Sequence, residues 1–199
     1  MNRHRIWSVT VIVMALLLVP YSHGHADGQA CLTDVIRSDM ESSVIVGYGT
    51  GDVEEGNYEP VLLIWRLGMN LKQFFPSLED HSGTLSAYVE PQINPIFDRE
   101  TDIEFGVGLG LKYMHSLSDS VGAYLVGSVG PHYISVKTSD QANGFIFSDT
   151  IGAGLSFFIT EKSAITVEYR LRHMSNAGMA KPHGGINTHF GTVGFSVFF

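Results

Sequence analysis

His173 and Ser175, two residues apart in this 199-residue sequence, have the types and spacing of a base and a nucleophile. They close the stretch AITVEYRLRHMSN at residues 164–176. Alternation puts Ile165, Val167, Tyr169, Leu171, His173 and Ser175 on one side, and Ala164, Thr166, Glu168, Arg170, Arg172 and Met174 on the other. One side is apolar and the other carries charge. If the apolar side of such a strand meets lipid, His173 and Ser175 end a lipid-facing ridge and are aimed at a membrane. Backbones at i and i+2 of a strand lie about 6.5–7 Å apart, a span across which an imidazole reaches a hydroxyl.

The ends of the chain fit that setting. Arg3 and Arg5 precede an apolar run at residues 6–19, a break at Pro20, and small residues Gly24 and Ala26 at signal-peptidase spacing. The pattern predicts an export signal over residues 1–26, and the run falls short of the roughly 20 residues a spanning helix needs. Cys31 follows Gly28, Gln29 and Ala30, without the leucine-like residue of a lipoprotein signal, and as a lone cysteine it forms no internal disulfide. Removing the signal leaves 10 basic against 20 acidic residues, a net charge of −10 that argues against nucleic acid as a partner.

Beyond residue 26 no apolar run of helix length remains, yet the mean hydropathy is +0.12 and the chain holds 22 glycines. An exported chain of this kind crosses a bilayer as a closed barrel, with every backbone group paired between strands. Eight segments show period-two patterning: 43–50, 61–71, 84–93, 102–115, 120–135, 145–159, 163–176 and 187–199. The expected fold is therefore all-β, an eight-stranded antiparallel transmembrane β-barrel over residues 27–199. In the fourth segment Ile103, Phe105, Val107, Leu109, Leu111 and Tyr113 alternate with Asp102, Glu104, Gly106, Gly108, Gly110 and Lys112. An eight-stranded interior is filled by side chains, so Arg66, Glu90, Glu104, Lys112, Glu168, Arg170 and Arg172 are expected to form a packed ion network rather than a pore lining. The last segment puts Gly191, Val193, Phe195, Val197 and Phe199 on one face; its terminal Phe resembles the sorting signal of bacterial outer-membrane barrels, which implies the barrel-assembly machinery as a partner in biogenesis. A soluble periplasmic sandwich with the faces reversed is the competing fold.

An even strand count puts both termini in the periplasm, which places His173, Ser175 and Asn187 at the outer-leaflet end of the barrel. The short connection at residues 160–162 sets a hairpin register that pairs Asp149 with either His173 or Ser175. Asp149 stands in an outward row of Phe145, Phe147, Ile151, Ala153, Leu155 and Phe157, a costly place for a carboxylate in lipid unless it has a partner.

The run His173, Met174, Ser175, Asn176, Ala177, Gly178, followed by Pro182, Gly185 and Ile186 before the last strand, closely resembles the signature of the outer-membrane lipid A 3-O-deacylase (PagL) family, also called acyloxyacyl-hydrolase-like. The likeness extends to residues 147–154 and more faintly to 88–90, so its specific part covers about the C-terminal quarter. It implies an eight-stranded barrel with its active site on the outer surface, cleaving the ester-linked acyl chain at the 3-position of lipid A in lipopolysaccharide. It also implies a Ser-His-Glu triad, with Ser175 and His173 as serine and histidine; the glutamate position is held by Asn187 and an asparagine near the oxyanion site by His183.

In that chemistry His173 takes the Ser175 proton as the hydroxyl attacks the acyl carbonyl and returns it to the departing sugar oxygen. Backbone N–H groups around Asn176 to Gly178, with the Asn176 amide, are the expected oxyanion donors. Asn187 orients the imidazole and Asp149 supplies the missing negative charge. No spacing suggests a metal or another cofactor, and His183 and His189 read as incidental loop and strand residues. The departures at Asn187 and His183 keep a second reading open, a catalytically weak or inactive structural or lipid-binding outer-membrane barrel.

Overall fold

The computed structural model describes residues 38–54, 56–75, 83–97 and 102–199, so the export signal expected over residues 1–26 lies outside the described residues. Nine strands follow one another: β1 (Met40–Val53), β2 (Gly56–Tyr58), β3 (Val61–Asn70), β4 (Gly83–Ile96), β5 (Asp102–Ser118), β6 (Val121–Ile134), β7 (Gly144–Thr160), β8 (Ser163–Ser175) and β9 (Ile186–Phe198). All neighbours are antiparallel, and β1 pairs with β9 from Glu41↔Phe198 to Thr50↔His189. The sheet is thereby a closed barrel of eight long strands.

The ninth strand arises because one barrel strand is split. β2 pairs with the far end of β1 and β3 with the rest of it, and Glu59 and Pro60 lie between them. Proline has no N–H to give a ladder, and here it contributes only its carbonyl, which accepts from the Gly49 N–H at 2.9 Å. β1, β4, β5 and β7 also run beyond the expected segments, β1 starting at Met40 and β5 reaching Ser118.

Period two decides the faces. Along β8, Ile165, Val167, Tyr169 and Leu171 are exposed, while Ala164, Thr166, Glu168, Arg170, Arg172 and Met174 are buried. The same alternation wraps the barrel in exposed aliphatic and aromatic side chains. Inside, several glycines make room for large partners: a Cβ at Gly110 would lie 2.5 Å from Tyr88 Cζ, and one at Gly154 2.5 Å from Tyr124 Cζ.

The lumen is packed. Glu90 accepts from Arg66 Nε at 2.6 Å and from both terminal nitrogens of Arg170 at 2.9 and 3.0 Å. Glu168 pairs with Arg66 and Arg170, and Glu104 with Arg172. Lys112 donates to both oxygens of Glu41 at 2.8 Å. The buried charges are thus Glu41, Glu90, Glu104 and Glu168 against Arg66, Lys112, Arg170 and Arg172. Among the described residues these buried charges balance, four against four.

Apolar clusters cap this polar centre. At the end carrying the termini stand Tyr88, Met114, Tyr124, Val126, Phe158, Ala164 and Phe198. At the opposite end stand Tyr58, Ile96, Ile134, Ile146, Met174 and Ile186. Among the described residues the ion pairs are packed between two apolar layers, the network expected from the sequence.

Candidate active site

β7, β8 and β9 bring four of the expected site residues to one patch of the barrel exterior. β8 pairs with β9 as His173↔Asn187 and with β7 as Asp149↔His173, which resolves the two registers the short turn allowed. Phe147 faces Ser175. His173 is therefore flanked on one side by a carboxamide and on the other by a carboxylate.

His173 Nδ1 lies 2.8 Å from Asn187 Oδ1. The other edge of the ring leans along the strand: a Cβ built on Gly185 would stand 2.7 Å from His173 Cε1 and 3.1 Å from Nε2. Continuing the β8–β9 register by one step puts Gly185 opposite Ser175, so the imidazole reaches from its own row into that of the serine. Gly185 also has φ +83°, a left-handed backbone that residues with a Cβ adopt at a cost. His173 and Ser175 are half-buried, Asp149 and Asn187 exposed.

Asn176 and Gly178 are placed differently. The Asn176 side chain is buried, its Nδ2 donates to Ala180 O at 2.9 Å and Pro182 O at 3.2 Å, and its Oδ1 accepts from Gly178 N at 3.0 Å. Both residues are engaged in building the loop after Ser175. That loop is in turn tied to the β6–β7 connection, where Ala142 N donates to Pro182 O at 3.0 Å and Gly184 N to Asp140 O at 2.7 Å. His183 is exposed and forms a bridge with Gln141. Gly185 enters the sequence reading only as part of the signature run before the last strand; its place against the His173 ring comes from the fold.

An open groove of about 890 Å³ runs from this patch across the outer face of β9 to β5. Leu109, Leu111, Val129, Ile151 and Leu171 line its apolar length, with Gly127 in the middle, and Asp149, His173, Asn187 and His189 form its polar end. Among the described residues no cluster of His, Cys, Asp and Glu is placed to hold a metal ion.

The lipid A 3-O-deacylase (PagL) family model matches residues 61–196. The chain belongs to that family. The crystal structure of the outer-membrane enzyme PagL is similar to it with a TM-score of 0.51, at 19% identity over 77% of this chain and 98% of that one. Neisserial surface protein A is similar with a TM-score of 0.59 at 11% identity, covering 80% of this chain and 97% of that one. Ail, the attachment invasion locus protein of Yersinia pestis, reaches 0.50 at 12% identity, covering 81% and 99%. No curated protein sequence matches the chain significantly. At these identities the structures speak for the fold, an outer-membrane β-barrel, and the family match speaks for lipid A deacylation in its broad sense.

Proposed function

We propose that this protein is a lipid A 3-O-deacylase of the bacterial outer membrane, with Ser175 as nucleophile, His173 as general base and acid, and Asn187 as the group that orients the imidazole. One observation carries the reading: His173 is held at Nδ1 by Asn187, 2.8 Å away, while its other edge lies over the position opposite Ser175, on the apolar exterior of the barrel. A hydroxyl and an imidazole so arranged meet an ester that is itself embedded in lipid.

In the proposed cycle Ser175 Oγ bonds to the acyl carbonyl carbon as its proton passes to His173 Nε2. The oxyanion is held by main-chain N–H groups of the turn at Asn176 and Ala177, whose shape the Asn176 side chain and Gly178 maintain. Collapse breaks the bond to the sugar oxygen, which takes the proton from His173, and water then cleaves the acyl-enzyme with His173 again as base. Asn187 fixes the tautomer by accepting from Nδ1, but a neutral amide stabilises the imidazolium only weakly. Asp149, the other cross-strand neighbour of His173, supplies negative charge. The apolar groove receives the acyl chains.

With the termini in the periplasm, the site faces the outer leaflet, where lipopolysaccharide resides, and the barrel-assembly machinery inserts the chain by its final strand. A lipid-binding barrel without turnover is the second reading, favoured by the neutral Asn187 and by His183 at the positions where the family signature has glutamate and asparagine. Purified protein in detergent micelles with lipid A decides between them. Release of a single fatty acid, with fragmentation of the product placing the new hydroxyl at the 3-position, supports the deacylase. A folded barrel that retains lipid A and releases none supports the alternative.

A further inference from the structure

We propose that Tyr169, His189 and the notch at Gly191 form a second polar subsite, one that hydrogen-bonds a hydroxyl carried by the acyl chain of the lipid cleaved at Ser175. The proposal rests on the deacylase reading for the identity of the lipid, and on its own observations for the subsite.

Tyr169 Oη and His189 Nδ1 are 2.6 Å apart, and both side chains are exposed on the outer surface. Thr50 and Asn187 are the outward polar neighbours of His189 on the side of the candidate site, while toward the middle of the barrel the outward residues are apolar: Val167 on β8, Val193 and Phe195 on β9, Val44 and Val46 on β1. Pairing places Thr50, His189 and Leu171 in the row next to Asn187 and His173, and Tyr48, Gly191 and Tyr169 in the row after that. His189 therefore stands about 7 Å along β9 from Asn187, on the same face and toward the middle of the barrel. Nothing lies within 4 Å of a Cβ position on Gly191. Between two tyrosine positions, the exterior thus has an opening one side chain deep.

A polar pair in such a belt has a cost in lipid that a hydrogen bond only partly offsets. With the phenol donating to Nδ1, the imidazole proton sits on Nε2, which makes no hydrogen bond among the described residues. Aromatic anchors at the membrane boundary do not account for it. The Phe105–Tyr133 stack at 5.3 Å and the Phe145–Phe147 edge contact at 5.1 Å hold the rows at and beyond Ser175, whereas Tyr169 lies three outward positions inward of that serine. A chain whose ester is at Ser175, and which runs toward the bilayer centre, passes His189 within its first carbons. A hydroxyl near the carboxyl end of that chain meets Nε2 there.

The test compares two lipid esters that differ only in the cleaved chain, 3-hydroxytetradecanoyl against tetradecanoyl. The wild type is expected to prefer the hydroxylated ester about tenfold in kcat/KM, the scale of one net hydrogen bond. In Tyr169→Phe, His189→Leu and Gly191→Leu that ratio should fall to near one. A wild type without preference, or variants that keep it, overturns the proposal. A second arm needs no turnover: in Ser175→Ala, 3-hydroxytetradecanoate should shift the His189 side-chain nitrogen resonances and tetradecanoate should not. Equal responses, or none, overturn the subsite. If the wild type hydrolyses neither ester, the deacylase reading fails and this second arm alone decides on the subsite.

Discussion

His173 and Asn187 face each other across β8 and β9 with Nδ1 2.8 Å from Oδ1, so the imidazole is oriented by a neutral amide. Orientation and charge compensation are separate tasks of the third member of a catalytic triad. In the proposed mechanism Asn187 has the first task from β9 and Asp149 the second from β7, where it pairs with His173.

Asp149→Asn should lower the hydrolytic rate about threefold to tenfold, the effect of losing one partly solvated charge beside the imidazolium. Asn187→Glu in that background should recover most of the loss. Initial rates on lipid A in detergent micelles for the two single variants and the double variant check this. Full activity in Asp149→Asn would show that Asn187 suffices.

Gly185→Ala should lower the rate about a hundredfold while the barrel still forms. The added Cβ meets His173 Cε1 at 2.7 Å and Met174 O at 2.9 Å on a backbone with φ +83°. The ring is the movable party, and a displacement near 1 Å at a catalytic group can cost about 10²-fold. Rate measured alongside heat-modifiable gel mobility separates this from misfolding.

Much of this was legible in the sequence because a barrel strand has two unlike solvents, lipid outside and ion pairs inside, and alternation reports both. The short β7–β8 turn makes Asp149 a neighbour of His173 or Ser175 from the sequence alone. What was not legible depends on how loops and diagonals close in space. Glu41 continues the inward face of β1, yet the patterned segment began at residue 43 and the partner of Lys112 was missed. The patterned segment begins at residue 61, after Pro60, and the three-residue β2 before it is too short to show an alternation. Asn176 reads as an oxyanion donor next to a serine, and only the folded loop shows its amide bonded to Ala180, Pro182 and Gly178. His189 reads as an incidental strand residue until cross-strand geometry sets it against Tyr169.

The lumen carries a stability prediction. Glu104 accepts from Arg172, Tyr58 and Asn94 inside the barrel. Glu104→Gln leaves the Arg172 guanidinium buried without its counter-charge, a loss of roughly 3–5 kcal/mol. The midpoint of heat-induced unfolding in detergent should drop clearly, and Arg172→Met in the same background should restore part of it. An unchanged midpoint in the single variant would mean that water compensates the lone cation.

Replacing Phe199 by Lys should reduce the amount of protein in the outer membrane, because the final strand loses its terminal aromatic and its expected sorting mark. Phe199 remains tied to β1, its N–H donating to Met40 O at 3.0 Å, and that backbone bond survives the substitution. Fractionation of membranes from cells expressing each form measures the change. Equal yields would remove the terminal side chain as a determinant.

Whether Ser175 cleaves lipid A in the membrane is read by mass spectrometry of lipid A from cells carrying the wild type, the Ser175→Ala variant, or neither. The wild type should remove one acyl chain from lipid A, and Ser175→Ala, present in the outer membrane at equal amount and heat-modifiable, should leave lipid A as it is in cells without the protein. Deacylated lipid A in the Ser175→Ala cells, or unaltered lipid A in cells with abundant folded wild type, would contradict cleavage by Ser175.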